Sequence, residues 1–218
     1  MCAKTLYNYI DKGLLTTKNI DLALKVRRKP KKGRARRNKK ILGESIEKRP
    51  EAVEAREEAG HWEIDSAIGK STDKTAAMTM VERKTRKQIA VKLDSRGSAA
   101  VEKAAKEICA SCGNIGKAAF KSTTGDNGAE FAGLKGAVEC AVYFCHPYAS
   151  FEKGTDERHN GLLRRFIKKG GSIGELAPEI IEMAAEWNDN LPRKILGCMT
   201  PAEAFAQELM KIKEAIAA

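Results

Sequence analysis

The chain has 218 residues, of which 42% are hydrophobic and 32% are charged, and its formal net charge is +11. It is long enough to bury one good core with a smaller attachment, and no stretch approaches the roughly 18 apolar residues that a membrane-spanning helix needs. The N-terminal residues lack the apolar stretch of a secretory signal, so a cytoplasmic protein with reduced cysteines is expected.

Residues 1–15, MCAKTLYNYIDKGLL, predict a helix that ends in a glycine-containing turn. Leu6, Tyr9 and Ile10 fall at spacings that suit one apolar face. A complete helix-turn-helix requires at least one more helix before this point. We therefore assign residues 1–24 as a partial helix-turn-helix remnant.

Residues 25–40, KVRRKPKKGRARRNKK, contain 11 basic residues and no acidic one, and the rest of the chain is formally neutral. A basic block with proline and glycine is a poor packing element, and binding to nucleic-acid phosphates is its main physical use. A solvated tail or a localisation signal is the alternative. The predicted DNA contacts in this segment are Arg27, Arg28, Lys31, Lys32, Arg34, Arg36 and Arg37.

The segment 41–60 is rich in glutamate and arginine and is interpreted as a linker or short helix, so that residues 25–60 form a basic linker. From residue 61 the pattern becomes that of an α/β domain, expected over 61–218. Strands are predicted at 61–69, 75–81, 88–93 and 141–145, with a weak candidate at 118–124. Helices are predicted at 98–111 (serine-capped), 129–139, 155–168, 175–188 and 201–217.

Three acidic residues occupy positions from which they could meet. Strand alternation places Asp65 on one face of its strand with Glu63, and Trp62 on the other face. Asp126 follows a strand end, where open α/β sheets collect ligands, and Glu157 lies in the first turns of a helix. Clustered carboxylates imply bound cations or raised pKa values, and two Mg²⁺ ions would suit phosphoryl transfer. Spacing alone does not exclude that the three acids are unrelated.

Longer motifs surround these acids: HWEIDSAIGK, VERKTRK, GDNGAEFA, VYFCHPYASFEKGTDERHNGLLRRFIKKG and WNDNLPRKILGCMTPAEAF. Together, and in this order, they resemble the transposases of the IS-thirty insertion-sequence family. The resemblance implies a ribonuclease H-like fold, a mixed sheet flanked by helices, with an integrase-type catalytic triad of Asp65, Asp126 and Glu157. It also implies Mg²⁺ or Mn²⁺ held by the same three residues, and a DNA transposase acting by 3′-end cleavage and strand transfer.

The implied partners are transposon-end and target DNA, and action on two ends implies a homo-oligomer assembled on DNA at the nucleoid. Asn160, Arg164 and Arg165 are predicted to contact the DNA backbone, with a solvated helix face as the alternative. Arg193 and Lys194 form a turn that either faces DNA or is simply exposed. The alternative function is a truncated, non-catalytic DNA-binding remnant, because the sequence starts within the expected end-recognition domain.

Overall fold

In the computed structural model, residues 2–22, 41–70, 72–147, 149–168 and 170–217 are described. The chain divides into two compact units, Met1–Asn38 and Lys39–Ala218. In the first unit, helix α1 spans Ala3–Asp11 and Gly13 has a φ of +68°, which confirms the predicted helix and its glycine turn, although no side chain of α1 is buried. The basic segment 25–40 lies outside the described residues, so its DNA contacts remain predictions.

The second unit is built on a six-stranded mixed sheet with the order β1-β6-β5-β2-β3-β4. The pairs β1–β6, β6–β5 and β5–β2 are parallel, and the pairs β2–β3 and β3–β4 are antiparallel. The α/β class with a mixed, helix-flanked sheet is thereby confirmed, in agreement with a ribonuclease H-like fold. The strands are β1 Glu44–Ser45, β2 His61–Ala67, β3 Ala76–Glu82, β4 Gln88–Leu93, β5 Ser122–Gly125 and β6 Ala141–Phe144.

Seven α-helices of the second unit are described, and most match the predicted segments. They are α2 Glu51–Ala55, α3 Ser98–Ser111, α4 Gly116–Ala119, α5 Leu134–Ala137, α6 Gly154–Leu163, α7 Pro178–Asp189 and α8 Pro201–Ala217. The predicted serine cap of α3 is wrong: the capping residue is Gly97, and the Ser98 hydroxyl donates to Glu102 Oε1 at 2.6 Å from within the helix.

The segment expected to be a linker or short helix contains α2 but also supplies an edge strand. Ser45 pairs with Phe144 in the parallel β1–β6 ladder, and Arg49 and Val53 are buried. A two-residue strand is too short to show alternation, so the pattern of the sequence could not predict it. The folded unit therefore extends upstream of residue 61, where the sequence pattern changes.

Hydrophobic clusters cover both faces of the sheet. Trp62 and Ile64 of β2 face a cluster that contains the apolar side of α3, and the Trp62 ring stacks on Phe120 at 4.9 Å. Ala67 of β2 faces the opposite cluster, where α6 and α7 pack. The predicted alternation of β2 is therefore confirmed, and it places Asp65 on the face that α6 covers.

The cysteines form no crosslinks and differ in exposure: Cys145 is buried, whereas Cys2 and Cys198 are exposed. All six are free thiols, and burial raises the pKa of Cys145 to about 12. Among the described helices, none has the length and apolar character required to cross a membrane.

Candidate active site

The first two predicted acids belong to neighbouring parallel segments of the sheet. Asp65 lies in β2, and Asp126 directly follows the last residue of β5. The two strands pair up to Glu63 and Thr124. If this register continued for two residues, Asp65 would lie beside Asp126, across the strand spacing of about 4.8 Å, although the two are 61 positions apart in the sequence.

The end of β5 has a defined orientation in the sheet. A Cβ atom built on Gly125 would contact Ile64 Cγ2 at 3.3 Å, so position 125 faces the cluster that contains α3. If the alternation of β5 continued past this last residue, Asp126 would face the side on which α6 packs, as Asp65 does.

Asp65 is held by two side chains from α6 and the residue before it. Lys153 Nζ donates to Asp65 Oδ1 and to the Ile64 carbonyl oxygen, both at 3.0 Å. Asn160 Nδ2 donates to Asp65 Oδ2 at 2.6 Å, while Asn160 Oδ1 accepts from the Thr79 hydroxyl at 3.2 Å. Both carboxylate oxygens therefore have a defined partner, and one partner is a buried cation.

Asp126 is held by the tight turn that follows β5. The Gly128 amide donates to Asp126 Oδ1 at 2.8 Å. A Cβ atom on Gly128 would lie 2.5 Å from Glu130 Oε2 and 2.8 Å from Asp126 Oδ1, so glycine leaves the space that the two carboxylates occupy. Glu130 in turn accepts from the Ser66 hydroxyl at 3.0 Å, next to Asp65 on β2. A further acid therefore lies beside Asp126.

Glu157 lies in the middle of α6, three residues before Asn160. Residues at this spacing share one side of a helix, and Asn160 faces Asp65. The backbone of Glu157 therefore lies one turn from the contact with Asp65. Its side chain is outside the described residues, so its part in a triad remains a prediction.

A group of ion pairs lies beside the site, toward the start of β2. Glu63 is fully buried and pairs with Arg83, which also donates to Glu54 Oε2 at 3.0 Å. Arg49 pairs with Glu54 and donates to the Thr124 hydroxyl at 3.1 Å. These contacts tie β2, β3 and β5 to the segment around α2, at the level just below the carboxylates.

The remaining predicted DNA contacts have internal partners, and their role in binding is still a prediction. Asn160 is engaged by Asp65 and Thr79, as described above. Arg164 Nη2 donates to the Ile68 carbonyl oxygen at 3.1 Å. The Arg165 guanidinium lies 5.3 Å from the centre of the Trp187 ring and is exposed to solvent. Arg165 is thus the one most accessible to a ligand.

The three histidines have structural or surface roles. His61 bonds to Ser122 at 2.8 Å and to Glu58. His146 bonds to Glu152, and this contact raises its pKa. His159 is buried between two backbone carbonyl groups, and burial lowers its pKa to about 4. None of the three contacts Asp65 or Asp126 through a hydrogen bond of the described residues.

Lys153, Glu130 and Arg83 were missed by the sequence reasoning. Lys153 precedes Glu157 by one helical turn, and Glu130 follows Asp126 by four residues, so local spacing offered a weak signal for both. No local signal predicts that Arg83, in a hairpin turn, pairs with a buried acid on β2.

Among the described residues, no three potential metal-ligating side chains form one group, and the Glu157 side chain is outside that set.

Comparisons with known proteins now bear on this geometry. The chain is 42% identical over 203 residues to the probable transposase for insertion-like sequence element IS1161 of Streptococcus salivarius, covering 93% of this chain and 58% of that protein. The transposase for IS4351 of Bacteroides fragilis is 38% identical over 165 residues, covering 74% and 49%.

The transposase InsI for IS30A of Escherichia coli is 32% identical over 180 residues, covering 81% of this chain and 46% of that protein. This chain is a homologue of the transposases of IS30-type insertion sequences. The family resemblance seen in the motifs is thus confirmed. The chain spans about half the length of these curated relatives, and no protein-family model matches it.

Proposed function

We propose that this chain carries the catalytic core of a DNA transposase of the DDE type, with Asp65, Asp126 and Glu157 as its catalytic residues. The observation that supports this most is the parallel β2–β5 pairing, which runs to two residues before each aspartate, together with the contact of Asn160 from α6 with Asp65. The homologues are named transposases, and a core of this kind is the part of such a protein that breaks and joins DNA.

The donor groups fit a divalent metal ion. Asp65 and Asp126 offer carboxylate oxygens, which are the ligands that Mg²⁺ and Mn²⁺ prefer. The Lys153 ammonium already lies on Asp65 Oδ1 at 3.0 Å, so this position attracts positive charge. Asp65, Asp126 and Glu157 would hold the metal. When bound, Mg²⁺ or Mn²⁺ would supply charge stabilisation to the reacting phosphate.

The proposed reaction consists of two phosphoryl transfers. In the first, water adds to a phosphorus atom at the transposon end, the P–O3′ bond breaks, and a free 3′-hydroxyl and a 5′-phosphate result. In the second, that hydroxyl attacks a target phosphodiester, and a target 3′-oxygen leaves with the proton. The number of phosphodiester bonds is unchanged in the second step, so it needs no external energy source.

The protein's own residues orient the acids for this chemistry. Asn160 and Lys153 hold the Asp65 carboxylate from α6, and the Gly128 amide holds Asp126. The buried ion pair of Glu63 and Arg83 links β2 to the β3–β4 turn and restricts the movement of these segments. Carboxylates that are held before the substrate arrives need no reorganisation during the reaction. Transposon-end and target DNA are the proposed partners, with more than one copy of the chain acting on DNA.

Strand cleavage provides the test. We expect the chain to nick supercoiled DNA in MgCl₂ or MnCl₂ and not in EDTA. Asp126→Asn should lower the rate on the order of 100-fold or more, because several kcal/mol of transition-state stabilisation are lost. Asp94→Asn, at an exposed loop acid, is the matched control and should cleave like the parent.

Two outcomes would contradict the proposal. Equal cleavage by the parent and Asp126→Asn would show that the nicking comes from another site or from a contaminant. A parent chain that binds DNA and shows no metal-dependent cleavage would match the non-catalytic alternative.

A further inference from the structure

A cavity of about 610 Å³ lies beside the first turns of α6 and is strongly basic. We call it the arginine cavity. No carboxylate side chain is among the described residues that line it. Its charged lining residues are Arg56, Arg86, Arg158, Arg193 and Lys194, and Gly154, Thr155, His159, Pro192 and Ile195 complete it.

Two arginines meet at one neutral atom in this cavity. Arg56 Nη2 and Arg86 Nη1 both donate to the Thr155 hydroxyl oxygen, at 3.1 Å and 3.0 Å. Both arginines also have left-handed backbones, with φ values of +58° and +67°. Arg56 ends α2 and Arg86 lies in the turn between β3 and β4, where this conformation is common. The two guanidinium groups thus converge on a single hydroxyl group.

Two buried acids, Glu63 and Glu82, act electrostatically on Arg86 from outside the cavity. Glu63 pairs with Arg83, and Glu82 accepts hydrogen bonds from the Gly60 amide and from Thr85. Within the described residues, neither Arg56 nor Arg86 forms an ion pair. Burial, and then the charge of Arg56, lowers the pKa of Arg86 to about 10, so it remains protonated at neutral pH. The arginine cavity therefore carries excess positive charge.

The other cations of the cavity have unused donors. The side chains of Arg158 and Lys194 are exposed and form no hydrogen bond or ion pair with a described residue. Arg193 Nη2 donates to the Asn188 carbonyl oxygen at 3.1 Å, while its buried Nε has no acceptor in the structure. These donors surround an open volume, as an anion-binding site requires.

We propose that the arginine cavity binds a backbone phosphate of the DNA strand whose reacting phosphodiester lies at Asp65 and Asp126. This inference rests on the proposed function. Thr155, in the cavity, and Asn160, at Asp65, lie on the same helix and about 8 Å apart along its axis. Successive phosphates of one DNA strand differ by a rise of about 3.4 Å along the duplex axis and by a rotation about it, which together separate them by about 7 Å, so the phosphate next to the reacting one falls near this separation.

The expected role of the cavity is to set the position of the strand. Planar guanidinium groups bind phosphate oxygens in pairs, and phosphate contacts fix register without reading sequence. The cavity is therefore expected to serve any DNA sequence. It should raise affinity and the fraction of bound strands that are aligned with the carboxylates, without contributing to the chemistry.

The test compares two double variants of the whole chain. Arg158→Gln with Lys194→Gln removes two charges that make no internal contact in the described structure. Lys103→Gln with Lys117→Gln removes two exposed charges, each of which forms a weak surface ion pair. Lys103 lies on α3 and Lys117 beside it, and α3 packs on the other face of the sheet. Fluorescence anisotropy with a labelled DNA duplex, over a KCl series and in EDTA, gives the salt dependence of binding without any metal.

For the cavity variant, we expect the slope of log affinity against log salt to fall by about 0.9, as the loss of one phosphate contact predicts. The control variant should keep the parent slope. In Mg²⁺, the cavity variant should need more DNA to reach half-maximal cleavage, and its rate at saturating DNA should fall because fewer of the bound strands are aligned with the carboxylates. Thermal unfolding of both variants should match the parent and confirms that they are folded.

The outcomes separate this inference from the proposed function. A parent slope in the cavity variant, or an equal fall in both variants, would overturn the phosphate site even if metal-dependent cleavage is observed. A lowered slope in a chain that never cleaves would refute the proposed function and leave the site intact. Tighter binding of an RNA duplex than of DNA would contradict the assignment to a DNA strand.

Discussion

Replacement of Lys153 by glutamine tests whether the buried ammonium group compensates the charge of Asp65. Lys153 Nζ contacts Asp65 Oδ1 at 3.0 Å, and the lysine side chain is only 9% exposed. Breaking a fully buried ion pair costs about 3–5 kcal/mol. Because the Asp65 side chain is 26% exposed, water recovers part of this loss, and we expect Lys153→Gln to lower the free energy of unfolding by about 2–3 kcal/mol.

The chain contains a matched lysine that has no carboxylate partner. Lys92 Nζ donates to the carbonyl oxygens of Gly174 and Leu176, at 2.9 Å and 2.7 Å. Lys92→Gln removes these hydrogen bonds without leaving a negative charge unpaired, and should cost about 1–2 kcal/mol. Urea unfolding in EDTA, followed by tryptophan fluorescence, measures the difference between the two variants.

Magnesium ions should affect the two variants differently. In Lys153→Gln, Asp65 Oδ1 is free to bind a divalent cation, whereas in the parent the ammonium group competes for it. Excess MgCl₂ should therefore stabilise Lys153→Gln by about 1.4 kcal/mol more than the parent, which corresponds to roughly tenfold tighter binding. Lys92→Gln should respond to MgCl₂ as the parent does. Equal losses for both variants in EDTA, or an equal gain from MgCl₂, would refute this reasoning.

Three further predictions concern the turn, the buried histidine and the basic segment. Gly128→Ala should displace the neighbouring carboxylates of Asp126 and Glu130 and lower metal-dependent cleavage about tenfold or more, with little change in stability. Gly136→Ala, where an added Cβ has open space, is the control. An equal loss of cleavage in both variants would contradict this prediction. Burial lowers the pKa of His159 to about 4, whereas an unfolded histidine titrates near 6.5. Between these two pH values the unfolded chain binds more protons than the folded chain. The free energy of unfolding should therefore fall by up to about 3 kcal/mol as the pH drops from about 6.5 to about 4. His159→Gln should flatten that dependence in urea unfolding with EDTA, and an unchanged slope would contradict the assignment. Deletion of residues 25–40 should weaken DNA binding and flatten its salt dependence in anisotropy titrations; an unchanged slope would exclude these residues as phosphate contacts.

The main elements and the position of Asp65 were predictable because local patterns determine them. Trp62 and Ile64 alternate with Glu63 and Asp65, so burial of the tryptophan face assigns the other face to the acids. The four buried positions of α3, Val101, Ala104, Ala105 and Ile108, likewise recur at helical spacing in the sequence. In these segments the residue pattern and the packing agree.

The environment of the acids depended on contacts between distant parts of the chain. Lys153 and Asn160 reach Asp65 from a helix about 90 residues away, and no local periodicity encodes such a contact. The two-residue strand β1 exists because β6 offers an open edge for pairing, which is a property of the sheet. The arginine cavity was likewise hidden, since Arg56, Arg86 and Arg193 come from three separate loops.

Anomalous diffraction from crystals of the chain soaked in MnCl₂ would test the central claim most directly. The account predicts a manganese peak bound by carboxylate oxygens of Asp65, Asp126 and Glu157, with the Lys153 ammonium displaced from Asp65. It also predicts that the peak disappears in Asp126→Asn crystals grown and soaked in the same way. A manganese peak at any other group of acids, or a Glu157 side chain directed away from the two aspartates in the soaked crystal, would contradict it.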